Sequence, residues 1–316
     1  MIAYPACLRN RFLKFLDVLP PPIHHPVSEG VMMDETMEGP AGRIEHLHRY
    51  PVKSLLGERL DRASIDTKGI AGDRRLALLD TASGKIASAK HPALWAGLLA
   101  CRARPDADGI EIVLPGGRAV RAGSAEADAA LSALLGREVR IVDTPPQDAT
   151  VDRADPDALL ESGAPPRVPA TLTRLGAGSP PGTFFDFAPI HFVTTATLEH
   201  VAQLAGRTLD AIRYRPNLVV RTPAGTPPFV ENQWIGRLLA LSGGVRLKVV
   251  VPTPRCAVPT LDHGGLGTDL EALRVAVRHN RVQIFDLGRL PCLGAYAQVV
   301  ASGSVAAGDE VSLSDG

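Results

Sequence analysis

From Arg43 onward the apolar residues of this chain fall into short runs broken by turn residues, a rhythm that dictates strands rather than long helices. Candidate strands lie at 44–50, 60–66, 75–80, 85–89, 98–104 and 110–114, with turn chemistry such as Ala82-Ser83-Gly84 and the stretch 106–109 between neighbours. A helix over 125–135 and a strand over 139–143 follow. This pattern predicts an antiparallel, barrel-like domain. A second β-rich unit is expected further on, with strands near 190–194, 212–220, 238–241, 245–251, 295–301 and 310–313. Helices over 197–205 and 269–279 interrupt it, and in the second Leu270, Leu273 and Val277 share one face. The expected fold class is mainly β (α+β), two β-barrel-like domains with a few packed helices.

The boundaries follow from composition. Residues 1–40 read as a disordered extension, because Pro20-Pro21-Pro22 and His24-His25-Pro26 accompany no sustained apolar period; Met37 offers an alternative start. The first barrel domain is expected over 41–144, a linker or long loop over 145–182, rich in Pro, Gly, Ala and Asp, and the second domain over 183–316.

Lys plus Arg (34) balances Asp plus Glu (34), so no long-range field favours nucleic acid or an anionic membrane, and an anion site must be a local cluster. No apolar run approaches the roughly 20 residues that span a bilayer. With no evident signal peptide, the expected location is the cytoplasm. Cys7, Cys101, Cys256 and Cys292 are scattered, without the spacing of a zinc, redox or iron–sulfur site. Redox chemistry in this chain would therefore need an external electron donor.

Four basic or thiol positions fall at breaks in strands. Arg255-Cys256 follows the apolar run 247–251 and lies between Pro254 and Pro259, which presents the thiol at a strand exit. An adjacent arginine favours the thiolate, which attacks electrophiles or binds a soft metal; a lone cysteine is more often a small buried hydrophobe, and the neighbouring motifs are what favour a functional thiol. In Tyr50-Pro51-Val52-Lys53-Ser54 the proline leaves an ammonium and a hydroxyl on a loop, and Gly72-Asp73-Arg74 offers a guanidinium after a glycine turn. Arg213-Tyr214-Arg215-Pro216-Asn217 is expected to be extended, since Pro216 restricts Arg215, with Arg213, Arg215 and Asn217 on one face. That face suits a phosphate or a heterocycle edge, or a cross-strand salt bridge. Trp95, Trp234 and the run 184–187 read as packing. His191 and His263 are available as proton donors, though neither has a partner that marks a triad.

Taken in order, these pieces resemble the MOSC family, an amino-terminal MOSC-type β-barrel domain followed by the molybdenum-cofactor sulfurase carboxy-terminal domain. The resemblance is carried by Tyr50 to Ser54, Gly72-Asp73-Arg74, Phe192 to Leu198, Arg213 to Asn217, Glu231-Asn232-Gln233-Trp234, Arg255-Cys256 and Pro291 to Tyr296. Within the family the chain looks like the members that reduce amidoximes and N-hydroxylated bases. The resemblance implies that Cys256 is the catalytic thiolate ligand of molybdenum. It implies that the molybdenum cofactor (Mo-molybdopterin) is held by Lys53, Ser54, Arg74, Arg215 and Asn217, with Thr194, Arg255 and Tyr296 further candidates. It also implies a small N-hydroxylated substrate and a separate flavin, haem or iron–sulfur protein as electron donor, with no nucleic-acid or membrane partner. Thr194 stands where the family often has serine, and the chain carries neither ferredoxin-like cysteines nor a pyridoxal-phosphate domain. The alternative is a carrier of the cofactor or of a persulfide on Cys256. A cysteine-nucleophile hydrolase would need a His or Asn recognisably paired with Cys256.

Overall fold

In the computed structural model, which describes residues 39–162 and 170–315, seven strands close into a barrel. They are β1 (Gly39–Arg49), β2 (Ile190–Thr194), β3 (Leu218–Arg221), β4 (Leu238–Leu241), β5 (Arg246–Pro254), β6 (Arg289–Ala301) and β7 (Glu310–Ser314). Around the barrel the order is β2, β3, β1, β7, β4, β5, β6 and back to β2. The pair β2 and β3 is parallel and the others are antiparallel. A parallel neighbour needs a crossover, and the helix Thr195–Ala205 supplies it, capped by the Thr194 hydroxyl and by left-handed Gly206. Ile44, Leu47, Phe192, Val220, Leu247, Val249 and Val311 fill the barrel core.

The fold is mainly β, and the two halves of the chain share strands. The first strand of the expected amino-terminal unit, β1, belongs to the barrel built from carboxy-terminal strands, and Arg62–Asp66 pairs with Gly303–Ala306. Its period explains this: β1 buries Ile44 and Leu47 three residues apart because its ladders slip at bulges between Ile44 and His46 and between Pro40 and Gly42. The rest of the amino-terminal region surrounds a second core of Val52, Leu78, Trp95, Leu98, Leu131 and Val139. Small sheets pair Ala77–Asp80 with Val139–Val142 and join Arg102–Asp106, Gly109–Val113 and Ala119–Arg121. Helix Ala125–Leu135, between the Ser124 cap and left-handed Gly136, closes that core.

Several local expectations are corrected. The stretch expected to be a linker carries a two-stranded ladder, Thr150–Ala154 with Ala170–Arg174, and the helix Pro156–Ser162. Only Val151, Ala154 and Leu159 of these elements are buried, so the apolar period is too sparse to betray them. The strand expected at 85–89 is reduced to a single bridge from Ile86 to Leu79. Strand β5 runs on through Pro252 and Pro254, with its ladder to β6 shifting register there because proline has no N–H to donate. The extension expected over 1–40 lies outside the described residues, except that Gly39 and Pro40 begin β1. Among the described residues no helix is long and apolar enough to cross a membrane.

Candidate functional site

Eight of the nine residues expected at the site line one cavity: Lys53, Ser54, Arg74, Arg215, Asn217, Arg255, Cys256 and Tyr296. They arrive from the barrel wall and from the loops that leave it. Cys256 follows the end of β5, Tyr296 sits within β6, and Asn217 immediately precedes β3. Six described non-glycine residues have left-handed backbones, and three of them are Ser54 (φ 65), Arg74 (φ 43) and Arg215 (φ 54). Such torsions cost energy for residues with a side chain and collect where surrounding structure is made to aim a group.

The segment 211–217 shows how. It is a 3-10 turn, Ala211–Tyr214, rather than extended chain; Asp210 Oδ1 accepts from Ile212 N, and Arg215 N donates to the Ile212 carbonyl. Pro216 disfavours a right-handed helix at Arg215, and the residue takes the left-handed alternative. The two arginines therefore part company. Arg213 is consumed by the carbonyls of Pro259, Leu261, Leu266 and Gly267. The Arg215 guanidinium lies 4.3 Å and that of Arg74 4.6 Å from the centre of the buried Tyr50 ring, and Arg215 Nη1 is buried without a hydrogen-bond partner.

Asp73 organises this corner. Its carboxylate accepts from Tyr50 N at 2.7 Å, Asn217 Nδ2 at 2.9 Å and Arg74 Nη1. Asn217 Oδ1 accepts in turn from Arg74 Nη1 at 3.0 Å, so the asparagine positions the guanidinium. On the opposite side Lys53 Nζ donates to Phe184 O at 2.9 Å and to Asp186 at 2.6 Å, and Lys90 pairs with the same carboxylate at 2.9 Å. Burial pushes the Lys53 ammonium down to about 8, against the pull of Asp186. Burial would raise Asp186, yet Lys53 and Lys90 together hold it far below the usual carboxylate range. Burial also lowers Arg215, to about 10, which leaves it charged at neutral pH. Ser54 Oγ accepts from Ala89 N at 3.1 Å, tying the Lys53 loop to the Lys90 segment.

Arg255 faces inward. It donates to the carbonyls of Leu293 and Tyr214 and to His191 Nε2, so it braces the loop that presents Cys256. An arginine always donates, hence the His191 proton sits on Nδ1, facing Arg215 O at 3.4 Å. Burial and the Arg255 charge keep this imidazole neutral, well below its ordinary value.

Thr194 is corrected. It does not line the cavity; its backbone and hydroxyl donate to buried Glu231 at 2.8 and 3.0 Å while the hydroxyl caps the crossover helix. The residue is at the right end of β2, but its side chain points to the helix start. Lys90, Asp186 and Asp73 were missed as site residues. Asp73 was visible beside Arg74, whereas nothing in the spacing of Lys90 and Asp186 marks them. Cys101 and Cys292 lie in cores, where burial pushes their thiols up to about 11 and about 12. Cys7 lies outside the described residues.

The cavity thus gathers six cationic side chains, Lys53, Arg74, Lys90, Arg213, Arg215 and Arg255, around one lining carboxylate, Asp186, with a single thiol on its wall. The unpartnered Arg215 nitrogen calls for an acceptor, and charge of this sign suits a phosphate. The thiol suits a soft metal. Among the described residues no group of three or more His, Cys, Asp or Glu is placed to hold a metal ion. These residues fit an anionic, metal-bearing cofactor.

Residues 180–312 match the family model for the MOSC domain, and residues 41–143 match that for the MOSC N-terminal beta barrel domain. The mouse mitochondrial amidoxime-reducing component 1 is 28% identical over 134 residues, 41% of this chain and 38% of that protein. The rat mitochondrial amidoxime reducing component 2 is 28% identical over 130 residues, 40% of this chain and 37% of its own length. The chain thus matches well under half the length of these curated relatives. Among solved structures, the YUAD protein from Bacillus subtilis aligns over 90% of this chain and 100% of its own, with 13% identity and a TM-score of 0.43.

Proposed function

Because this chain belongs to the MOSC family, we propose that it is a molybdenum-cofactor oxidoreductase that reduces the N–O bond of small N-hydroxylated molecules with electrons from a separate protein. The observation that carries this reading is the cationic cavity with one thiol, where an unpartnered guanidinium nitrogen lies in the same cavity as Cys256. The amidoxime-reducing names of the mouse and rat relatives support the substrate class.

Lys53, Arg74 and Arg215 would bind the cofactor's phosphate, Asn217 and Asp73 would orient Arg74, and Cys256 would ligate the metal. The bound cofactor supplies two-electron molybdenum chemistry. Conversion of an N–OH group to N–H consumes two electrons and two protons and releases water. Tyr296 keeps its phenol proton because burial pushes its pKa up, so its hydroxyl remains a hydrogen-bond donor in the cavity. His191 holds its proton toward the Arg215 carbonyl and serves to orient Arg255.

The test is protein made in a molybdate-supplied host, assayed for bound molybdenum and for reduction of an amidoxime to the amidine by a chemically reduced viologen. Turnover and metal that both disappear in Cys256→Ser support the reading. Stoichiometric molybdenum without turnover of any N-hydroxylated compound would favour a carrier of the cofactor.

A further inference from the structure

We propose that Tyr50 is a positioning residue of the anion site, and that the negative face of its ring holds the Arg74 and Arg215 guanidiniums together for one bound anion. This rests on the reading of the cavity as an anion site and not on the reaction that follows.

Tyr50 is fully buried and does not line the cavity, so it acts on a ligand only through other residues. It reaches both arginines twice, first through hydrogen bonds. Its carbonyl accepts from Arg74 N at 2.8 Å, its N–H donates to Asp73 at 2.7 Å, and its hydroxyl donates to the Pro216 carbonyl at 3.1 Å, one residue past Arg215. These bonds brace the two left-handed backbones, Arg74 (φ 43) and Arg215 (φ 54). The second link is the ring itself. The guanidinium carbons lie over it at 4.6 Å and 4.3 Å from its centre, inside the roughly 6 Å over which an aromatic face attracts a cation.

The two cations are not equally served. Arg74 has the Asp73 carboxylate, Asn217 Oδ1 at 3.0 Å and the Arg215 carbonyl at 3.2 Å. Arg215 pairs with no carboxylate among the described residues, and its Nη1 is buried without a hydrogen-bond partner. A buried cation without a counter-charge is costly, and a like charge over the same ring adds repulsion. The ring face is the attraction that offsets both before an anion binds. Burial pushes the phenol pKa up, so that attraction comes from a neutral ring and not from a phenolate. With Tyr50 in place the guanidiniums are already converged; without it they would splay, and an anion would have to draw them back.

The test measures sulfate binding to the full-length protein by calorimetry at neutral pH, with thermal unfolding as the check on folding. Tyr50→Phe keeps the ring, and phenylalanines carrying one, two and three ring fluorines at the same position weaken its negative face step by step with little change in shape. We expect sulfate affinity to fall with each added fluorine, by roughly three- to tenfold over the series. A role confined to packing would leave the series flat while Tyr50→Leu lost affinity, and that result would overturn the proposal. If loss of the hydroxyl unfolds the protein, a fluorotyrosine at position 50 retains it and should still weaken sulfate binding; affinity equal to that of the native protein would then refute the role. Native protein that binds sulfate, with a flat series, sinks the role of Tyr50 alone, whereas native protein that binds no sulfate sinks the anion site with it. A falling series in protein that reduces no amidoxime keeps the role of Tyr50 and removes the reductase reading.

Discussion

Anion binding in the cationic cavity should weaken as the pH rises through about 8, where Lys53 loses its proton. Burial is the larger influence on this ammonium and lowers it from 10.5, while Asp186 at 2.6 Å opposes the shift. Below pH 8 the free protein already carries the charge that an anion requires. Above it, binding must first take up a proton. If the bound anion keeps Lys53 charged, affinity should fall roughly tenfold between pH 7 and 9, or about 1.4 kcal/mol. Sulfate is the probe, because it stays a dianion over this range. Calorimetry in two buffers of different ionisation heat should show proton uptake rising from near zero at pH 7 to about one per site at pH 9. Lys53→Arg should flatten the profile, since a guanidinium stays charged throughout. Without ligand, the same lysine acts on folding. Its folded value lies below the unfolded one, so its burial opposes folding at low pH and that cost fades as the pH rises from about 8 to 10.5. Native affinity that stays flat from pH 7 to 9 with no proton uptake would refute the assignment of Lys53 to the anion site.

Cys256→Ser should abolish turnover and molybdenum retention without a large change in melting temperature, whereas Cys292→Ala, in the core with Val251 and Ile284, should keep the metal; metal analysis separates the two. Asp73→Asn should cost about 3 kcal/mol in urea unfolding, because it leaves the Arg74 guanidinium without its buried counter-charge. An unchanged midpoint would show that Asp73 does not organise the corner. Thr194→Ala should cost about 1 kcal/mol through the lost helix cap, Thr194→Ser should restore it, and neither should alter sulfate affinity.

How far the sequence could be read depended on how local the determinant was. The strands Ile190–Thr194 and Leu238–Leu241 and the helix Ala125–Leu135 fall where their apolar period and caps place them. Residues 211–217 did not, because proline excludes only one helical hand and the decision between extended and left-handed chain was made by Asp210 and the cavity around Arg215. The motif residues around the cavity could be quoted from their order, but their division of labour could not. Arg213, Asn217 and Arg255 look like ligand-binding groups in sequence and turn their hydrogen bonds to the protein. Asp186 and Lys90 gain their meaning only from Lys53, far away in the chain. Strand β1 shows the same limit at the scale of the fold, since its partners cannot be inferred from its own period.

The placement of β1 has a consequence for how the protein is made. Apart from a short local pairing of its last residues with Glu58–Leu60, its hydrogen-bonding partners are Leu218–Arg221 on one side and Glu310–Ser314 on the other, so Gly39 meets Leu313 only once residue 313 has been made. At typical elongation rates of roughly 5–20 residues per second, the first strand leaves the ribosome on the order of 15–50 s before its last neighbour. The barrel cannot close until Glu310–Ser314 has emerged, and loop closure over such a separation makes its assembly slow. During that interval the edge of β1 is open to wrong partners. A nascent chain halted a few residues short of Glu310 would lack one wall of the barrel, and a fragment cut between residues 144 and 180 would strand β1 on the wrong piece.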